Sequence, residues 1–189
     1  MGVQQPDAGR DVRVDGGALA WSQVSVADVV IRPIALADIE QFRHVTDVVM
    51  RQRSFLAFVE GFPIDEAATF VARNIRVGNP QFVADDSGRV VGWCDIRRET
   101  IPVYAHTGHL GMGLLDEYRG RGLGERLIRA TIDAARAAGF ERIELSVYGR
   151  NVRAAALYRK VGFALEGTRI RGKKLDGEYD DVHVMGLLL

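Results

Sequence analysis

From residue 29 onward the apolar positions follow two alternating rhythms. "VVIRPI" is a short apolar run that predicts a strand, and "ALADIEQFRHVTDVVMRQR" then sets Ile39, Phe42, Val45, Val48 and Val49 at helical spacing. A second helix is predicted over "IDEAATFVARNIRVG", stopped by Gly78 and Pro80, with the aromatic, irregular "SFLAFVEGFP" between the two. "QFVADDSGRVVGWCDIRRE" reads as two strands around an Asp-Ser-Gly turn, and "HTGHLGMGLL" as a third strand across a short loop. "GLGERLIRATIDAARAAGF" presents Leu123, Leu127, Ile128, Thr131, Ala134, Ala135 and Ala138 along one stripe, with Gly139 as its stop. "RIELSV" alternates as a strand, "NVRAAALYRKVGF" is a helix opened by Asn151 and closed at Gly162, and the tail reads as a last hairpin.

The predicted order is strand, two helices, three strands, helix, strand, helix, strands, which gives one mixed α/β sheet with helices packed on it. No internal repeat or linker interrupts it. Residues 1–27, rich in Gly, Asp and Gln, predict a loosely held arm ahead of a single domain over 28–189. The chain's 189 residues suit one well-buried core.

Composition narrows the function. The 25 basic and 25 acidic side chains cancel, so no overall charge favours nucleic acid or an anionic membrane, although a local basic patch can still serve a small anion. No run reaches the apolar length of a membrane span, and no charged start precedes an apolar stretch, so the cytoplasm is the expected compartment. The lone Cys94 forms no internal disulfide, and four scattered histidines give no metal cluster.

The candidate chemistry sits in "DEYRGRGLGERL", where Gly120, Gly122 and Gly124 precede the third helix. A helix start carries unpaired N–H groups and partial positive charge, and glycines let a large anion approach them; Arg119 and Arg121 add charge there. Glu125-Arg126 after the last glycine departs from a P-loop, and the glycine spacing departs from a dinucleotide fold. Arg119-Gly120-Arg121-Gly122-Leu123-Gly124 does fit Arg/Gln-x-x-Gly-x-Gly/Ala, and Asn151, Ala154, Leu157, Tyr158, Gly162 and Phe163 fit a second signature some thirty residues on.

With both motifs, from about Val29 to the C-terminus, the chain resembles the GCN5-related N-acetyltransferase superfamily, and within it the ribosomal-protein N-terminal and phosphinothricin-type branches. The resemblance implies a mixed, mostly antiparallel sheet of about seven strands and about four helices, with the fourth and fifth strands splayed into a cleft. It implies acetyl-CoA as co-substrate and no metal. Pantetheine is expected on the backbone near Leu114 and Leu115, and the pyrophosphate on residues 119 to 124, with Leu123 and the helix cap Asn151 counted among the coenzyme contacts. Tyr158 matches the family tyrosine that protonates the departing thiolate.

The implied activity is transfer of acetyl by direct attack of a primary amine, on a small molecule or a peptide N-terminus. The alternative is a non-catalytic acyl-CoA sensor on the same fold. The family's usual carboxylate positions hold Gly108 and Ser146 here, which leaves His109, Glu144, a water relay or no dedicated base; Glu144 stands roughly 7 Å along the strand from Ser146. Phe55, Phe58 and Phe62 occupy a segment that often walls the acceptor site, and Tyr179 and Asp181 lie on a final hairpin that borders it in those branches. Cys94 reads as core, and Asp95 and Glu99 alternate on one strand face that either reaches the substrate end of the cleft or, as the favoured reading, is solvated. The apolar end "VMGLLL" is placed to complete a sheet or to meet a second subunit as a homodimer.

Overall fold

The computed structural model describes residues 26–189, so all but the last two residues of the expected N-terminal arm lie outside the described residues. Seven strands form one sheet: β1 Val30–Pro33, β2 Gln81–Asp86, β3 Arg89–Arg98, β4 Thr107–Leu114, β5 Arg142–Tyr148, β6 Ala164–Leu175 and β7 Glu178–Leu188. Among the described residues four α-helices accompany them: α1 Ile39–Arg51, α2 Ile64–Val77, α3 Leu123–Ala137 and α4 Val152–Lys160. The strand order is β1-β2-β3-β4-β5-β7-β6, and β4 with β5 is the only parallel pair in that sheet.

Successive residues of a strand point to opposite faces, and β3 shows which helices take which face. Trp93 meets Phe42 of α1 edge-on at 6.0 Å, and Phe42 stacks on Phe70 of α2. Cys94 turns the other way, toward Thr131 of α3 and Tyr158 of α4. Burial of one Leu- or Ile-sized side chain contributes about 1.5–3 kcal/mol, and α3 supplies Leu123, Leu127, Ile128 and Ile132 to this core.

The buried stripe of α3 differs at its end from the expected one. Ile132 is buried while Ala138 is exposed, because the last turn of the helix runs beyond the sheet. The first predicted helix also divides into a 3-10 turn, Leu36–Asp38, and α1. Asp38 sets that break: its carboxylate binds Arg32 through both oxygens, at 2.7 and 2.8 Å, and accepts the Ala35 N–H at 2.8 Å. Among the described residues no helix is long and apolar enough to cross a membrane.

Candidate active site

β4 and β5 pair only where Thr107, Gly108 and His109 meet Arg142, Ile143 and Glu144; beyond that point they separate. The hydrogen bonds on either side fix which backbone groups face the gap. Leu115 donates to Val91 and Glu99 to Thr107, so the odd-numbered residues of β4 bond β3, and Leu110 and Met112 direct their N–H and C=O groups toward the missing neighbour. On β5, Leu189 donates to Glu141 and Gly149 to Asp181, so the odd residues bond β7 and Ser146 faces the gap. The cleft therefore has unspent backbone on both walls.

At the open end of the gap lies the glycine loop. Gly120 and Gly122 have φ of +73° and +79°, which an L side chain adopts only with strain. Among the described residues, the N–H groups of Gly120, Gly122, Leu123 and Gly124 find no acceptor. Such a row of N–H groups at a helix start binds an anion. Arg119 has a more structural place than its sequence suggests: Nε donates to the Leu114 carbonyl at 2.8 Å and Nη2 to Gln52 at 2.9 Å, Asp116 pairs with it, and the guanidinium lies 4.8 Å from the Phe55 ring centre. Burial pulls its pKa below the usual arginine value.

Positive charge arrives instead from α4. The Arg153 guanidinium stands 3.8–3.9 Å from where a Cβ on Gly120 would be, and makes no ion pair among the described residues. Lys160 and Arg129 pair with Glu125 at 2.5 and 3.0 Å, which offsets a carboxylate in the first turn of α3. Sequence reading missed Arg153 and Lys160. The available signal was their helical spacing about Leu157, which faces Gly124.

A cavity of about 600 Å³ joins these parts. Of the predicted residues it gathers Leu114, Arg119, Gly120, Gly122, Gly124, Asn151, Tyr158 and Phe55. Asn151 also caps α4, accepting the Ala154 N–H at 3.2 Å. Leu115 and Leu123 are buried beside the cavity, not in its wall, and the Leu115 N–H is already bonded to Val91. Arg121, His109 and Phe58 lie outside the lining, and Phe58 packs edge-on against Phe62 at 4.7 Å. Tyr179 and Asp181 line a separate depression with Arg150, Arg171 and His183, where Asp181 accepts the Arg171 N–H at 2.7 Å.

The ionisable groups near the gap differ in how they are held. Tyr158 is buried in the wall, its hydroxyl makes no hydrogen bond among the described residues, and burial pushes its pKa well above the usual phenol range, with a smaller push from Cys94. Cys94 is fully buried, and burial raises its thiol pKa strongly, as a core residue requires. His109 holds Glu99, Nε2 to Oε2 at 3.1 Å, and Glu144 accepts from Arg142 at 2.8 Å, so each of these base candidates is already engaged. Asp95 corrects the sequence reading: it is buried, not solvated, with 4% of its surface exposed. Burial pushes its carboxyl up to about 7, against the pull of Arg97 and the Trp93 N–H.

Comparison with known proteins agrees with this geometry. The acetyltransferase (GNAT) family matches residues 47–163. The L-amino acid N-acetyltransferase AaaT of Escherichia coli K12 is 33% identical over 111 residues, 58% of this chain and 68% of that protein. The L-methionine sulfoximine/L-methionine sulfone acetyltransferase of Pseudomonas paraeruginosa is 31% identical over 132 residues, 67% of this chain and 76% of its own. In three dimensions, YncA of Salmonella typhimurium, solved with its cofactor acetyl-CoA, has the same fold, with a TM-score of 0.81 at 18% identity over 86% of this chain and 94% of that one. Acetyl-CoA is the co-substrate that the loop and cleft fit. By family match, strand order and loop together, the chain belongs to the GNAT family of acetyltransferases.

Proposed function

We propose that this protein transfers acetyl from acetyl-CoA to the α-amine of a small, amino-acid-like acceptor by direct attack. The carrying observation is the course of the cavity. It runs from the glycine loop and Tyr158 on the α3/α4 face, through the gap between Met112 and Ser146, to Val49, Phe55 and Leu56 at the end of α1 on the opposite face. A thioester entering from one face and an amine from the other meet in that gap.

A small acceptor is supported by the rim. The β6–β7 turn reaches the end of α1, where Asp176 pairs with Arg53 at 2.7 Å and Lys173 donates to the Arg53 carbonyl at 3.4 Å. Arg53 stands two residues before Phe55, which lines the acceptor side of the cavity. The two relatives described above are named for amino acids and amino-acid analogues, which supports the same class.

In this reading the N–H groups facing the gap, Leu110 and Met112, hold the pantetheine amides and the thioester oxygen, and Tyr158 donates its proton to the departing sulfur. A phenol kept protonated by burial suits that donor role, worth about 10²–10⁴ in rate. The amine must enter neutral. At pH 7 that costs roughly 4–5 kcal/mol for a lysine-like amine and about 1 kcal/mol for an α-amine, which favours the latter.

The test is CoA release with acetyl-CoA and a panel of free L-amino acids, short peptides with free α-amines, and Nα-blocked lysine. Acetylated free amino acids, identified by mass, are the expected product. Acetyl-CoA binding without release above background for every amine would instead make the protein a sensor.

A further inference from the structure

The transfer reaction needs a proton acceptor, and the family's two usual positions do not supply one. Ser146 carries no base, and Gly108 lies against the core: a Cβ there would stand 2.4 Å from Ile96 and 2.7 Å from Phe140. His109 is held by Glu99 and lies outside the cavity wall.

Asp95 does not line the cavity either, but it stands directly behind a strand residue that does. It is the register partner of Gly111, two residues past the last β4–β5 pair, and its side chain lies on the α1/α2 face, where the proposed acceptor enters. Gly111 lines the cavity, and its missing side chain leaves the Asp95 carboxylate against the strand: Oδ2 is 3.4 Å from an ideal Cβ at 111. Gly113 continues this bare floor, because Trp93 occupies the space above it at 2.4 Å. No side chain of β4 between His109 and Leu115 therefore stands between Asp95 and the opening on that face.

A buried carboxylate is costly unless it is satisfied, and this one is only partly so. The nearest cation, Arg97, approaches Oδ1 at 3.3 Å while remaining half exposed. On the other flank stands Gln81, the β2 register partner of Asp95. Its Oε1 accepts from Asn74, yet its Nε2 is buried without a partner. Cross-strand partners stand about 5 Å apart, so this unspent amide donor belongs to the residue beside Asp95 on β2, a separation that one water can span.

We infer that Asp95 is the proton acceptor of this transferase, taking a proton from the incoming ammonium through a water over Gly111. The step balances. The ammonium gives one proton to Asp95; the freed lone pair forms the C–N bond; the C–S bond breaks, and the sulfur takes the Tyr158 proton. The second nitrogen proton restores Tyr158, and Asp95 releases its proton to solvent. The carboxyl's position near neutrality, given above, suits this exchange at physiological pH. Among the described residues the charged groups on this face of β3 and β4 are Arg97 on its own strand, and His109 with Glu99 farther along. The buried residues of α1 and α2 are all uncharged, Thr46 and Asn74 being the polar ones.

The inference rests on the functional reading above, and the experiment separates the two. With acetyl-CoA and the free L-amino acid acetylated fastest in the panel, kcat/KM is measured against pH for the wild type, Asp95→Asn, Asp95→Glu and His109→Gln, with acetyl-CoA affinity measured in parallel. The wild-type profile should rise and level just above pH 7. Asp95→Asn should lose about 10²-fold or more near neutrality, keep its acetyl-CoA affinity, and follow the free-amine fraction upward with pH. Asp95→Glu should recover at least about tenfold of that loss, and His109→Gln should stay within about threefold of wild type. An Asp95→Asn protein with wild-type turnover and profile overturns the inference alone. A wild type that transfers acetyl to no amine overturns the functional reading and the inference with it.

Discussion

Arg119 donates through Nε to the Leu114 carbonyl at 2.8 Å, so the first residue of the glycine loop holds the last residue of β4 in place. The same guanidinium reaches Gln52 and covers Phe55, tying the end of α1 to the coenzyme side of the cleft. Arg119→Ala should therefore act on both structure and binding. A loss of about 1–3 kcal/mol in unfolding free energy is expected from the unpaired carbonyl and amide, with acetyl-CoA affinity falling about tenfold or more. Lysine lacks the planar fork, so Arg119→Lys should recover little. Thermal denaturation and calorimetry check both; a variant with unchanged affinity would remove Arg119 from the architecture of the site.

Gly122 and Gly124 are glycines for different reasons. At Gly122 a Cβ would meet nothing within 4 Å, but φ is +79°, so Gly122→Ala should cost about 1–2 kcal/mol of stability through the backbone alone and weaken acetyl-CoA binding. Gly124 sits inside the first turn of α3, where alanine is favoured by roughly 0.5–1 kcal/mol. Its Cβ would stand 3.4 Å from Leu114 and Leu157 in the cavity wall, an ordinary contact. Gly124→Ala should thus keep or raise the melting temperature while reducing acetyl-CoA affinity. Equal affinity for wild type and Gly124→Ala would show that the coenzyme does not run along this wall.

The loop, the α3 stripe and the Asn151 cap were legible because each is written in a contiguous stretch whose physics is local. What the sequence hid depends on partners far along the chain. In "CDIRRE" Asp95 alternates with Arg97 and Glu99 and so resembles a solvated face; it is buried because β3 runs between Gln81 and Gly111, beneath a helix that carries Phe70 and Asn74. Which β4 groups face the cleft follows from the pairing of Leu115 with Val91, a relation across 24 positions (115 − 91) that no local period records. Arg53 and Asp176, 123 residues apart, join the end of α1 to the β6–β7 turn for the same kind of reason.

Tyr158 tests the chemistry separately from the fold. Its hydroxyl has no hydrogen-bond partner among the described residues, so Tyr158→Phe leaves no buried group newly unpaired and should change stability by less than about 1 kcal/mol. Turnover should fall about 10²–10⁴-fold with acetyl-CoA affinity nearly constant. A thioester with a better leaving thiol than CoA should show a smaller loss. Steady-state kinetics on both thioesters decides; a variant with unchanged turnover on acetyl-CoA would take Tyr158 out of the donor role.

Asp95 should also leave a signature in stability that is independent of any acceptor. Its carboxyl titrates near 7 in the folded protein and near 4 in the unfolded chain, so between these values the folded state holds a proton that the unfolded state has released. Stability contributed by the protonated carboxyl is then complete below about pH 4, declines as pH rises, and levels off above about pH 7. Asparagine cannot ionise and lacks this decline. Asp95→Asn should match the wild type below pH 4 and exceed it above pH 7, by an amount on the order of 4 kcal/mol. Denaturant unfolding of the two proteins at pH 4, 6 and 8 measures the divergence. A variant that is more stable at pH 8 yet slower in turnover is the combination expected when a buried carboxylate is retained for its chemistry, whereas one that is less stable at every pH would assign Asp95 to the scaffold through its bonds to Arg97 and Trp93.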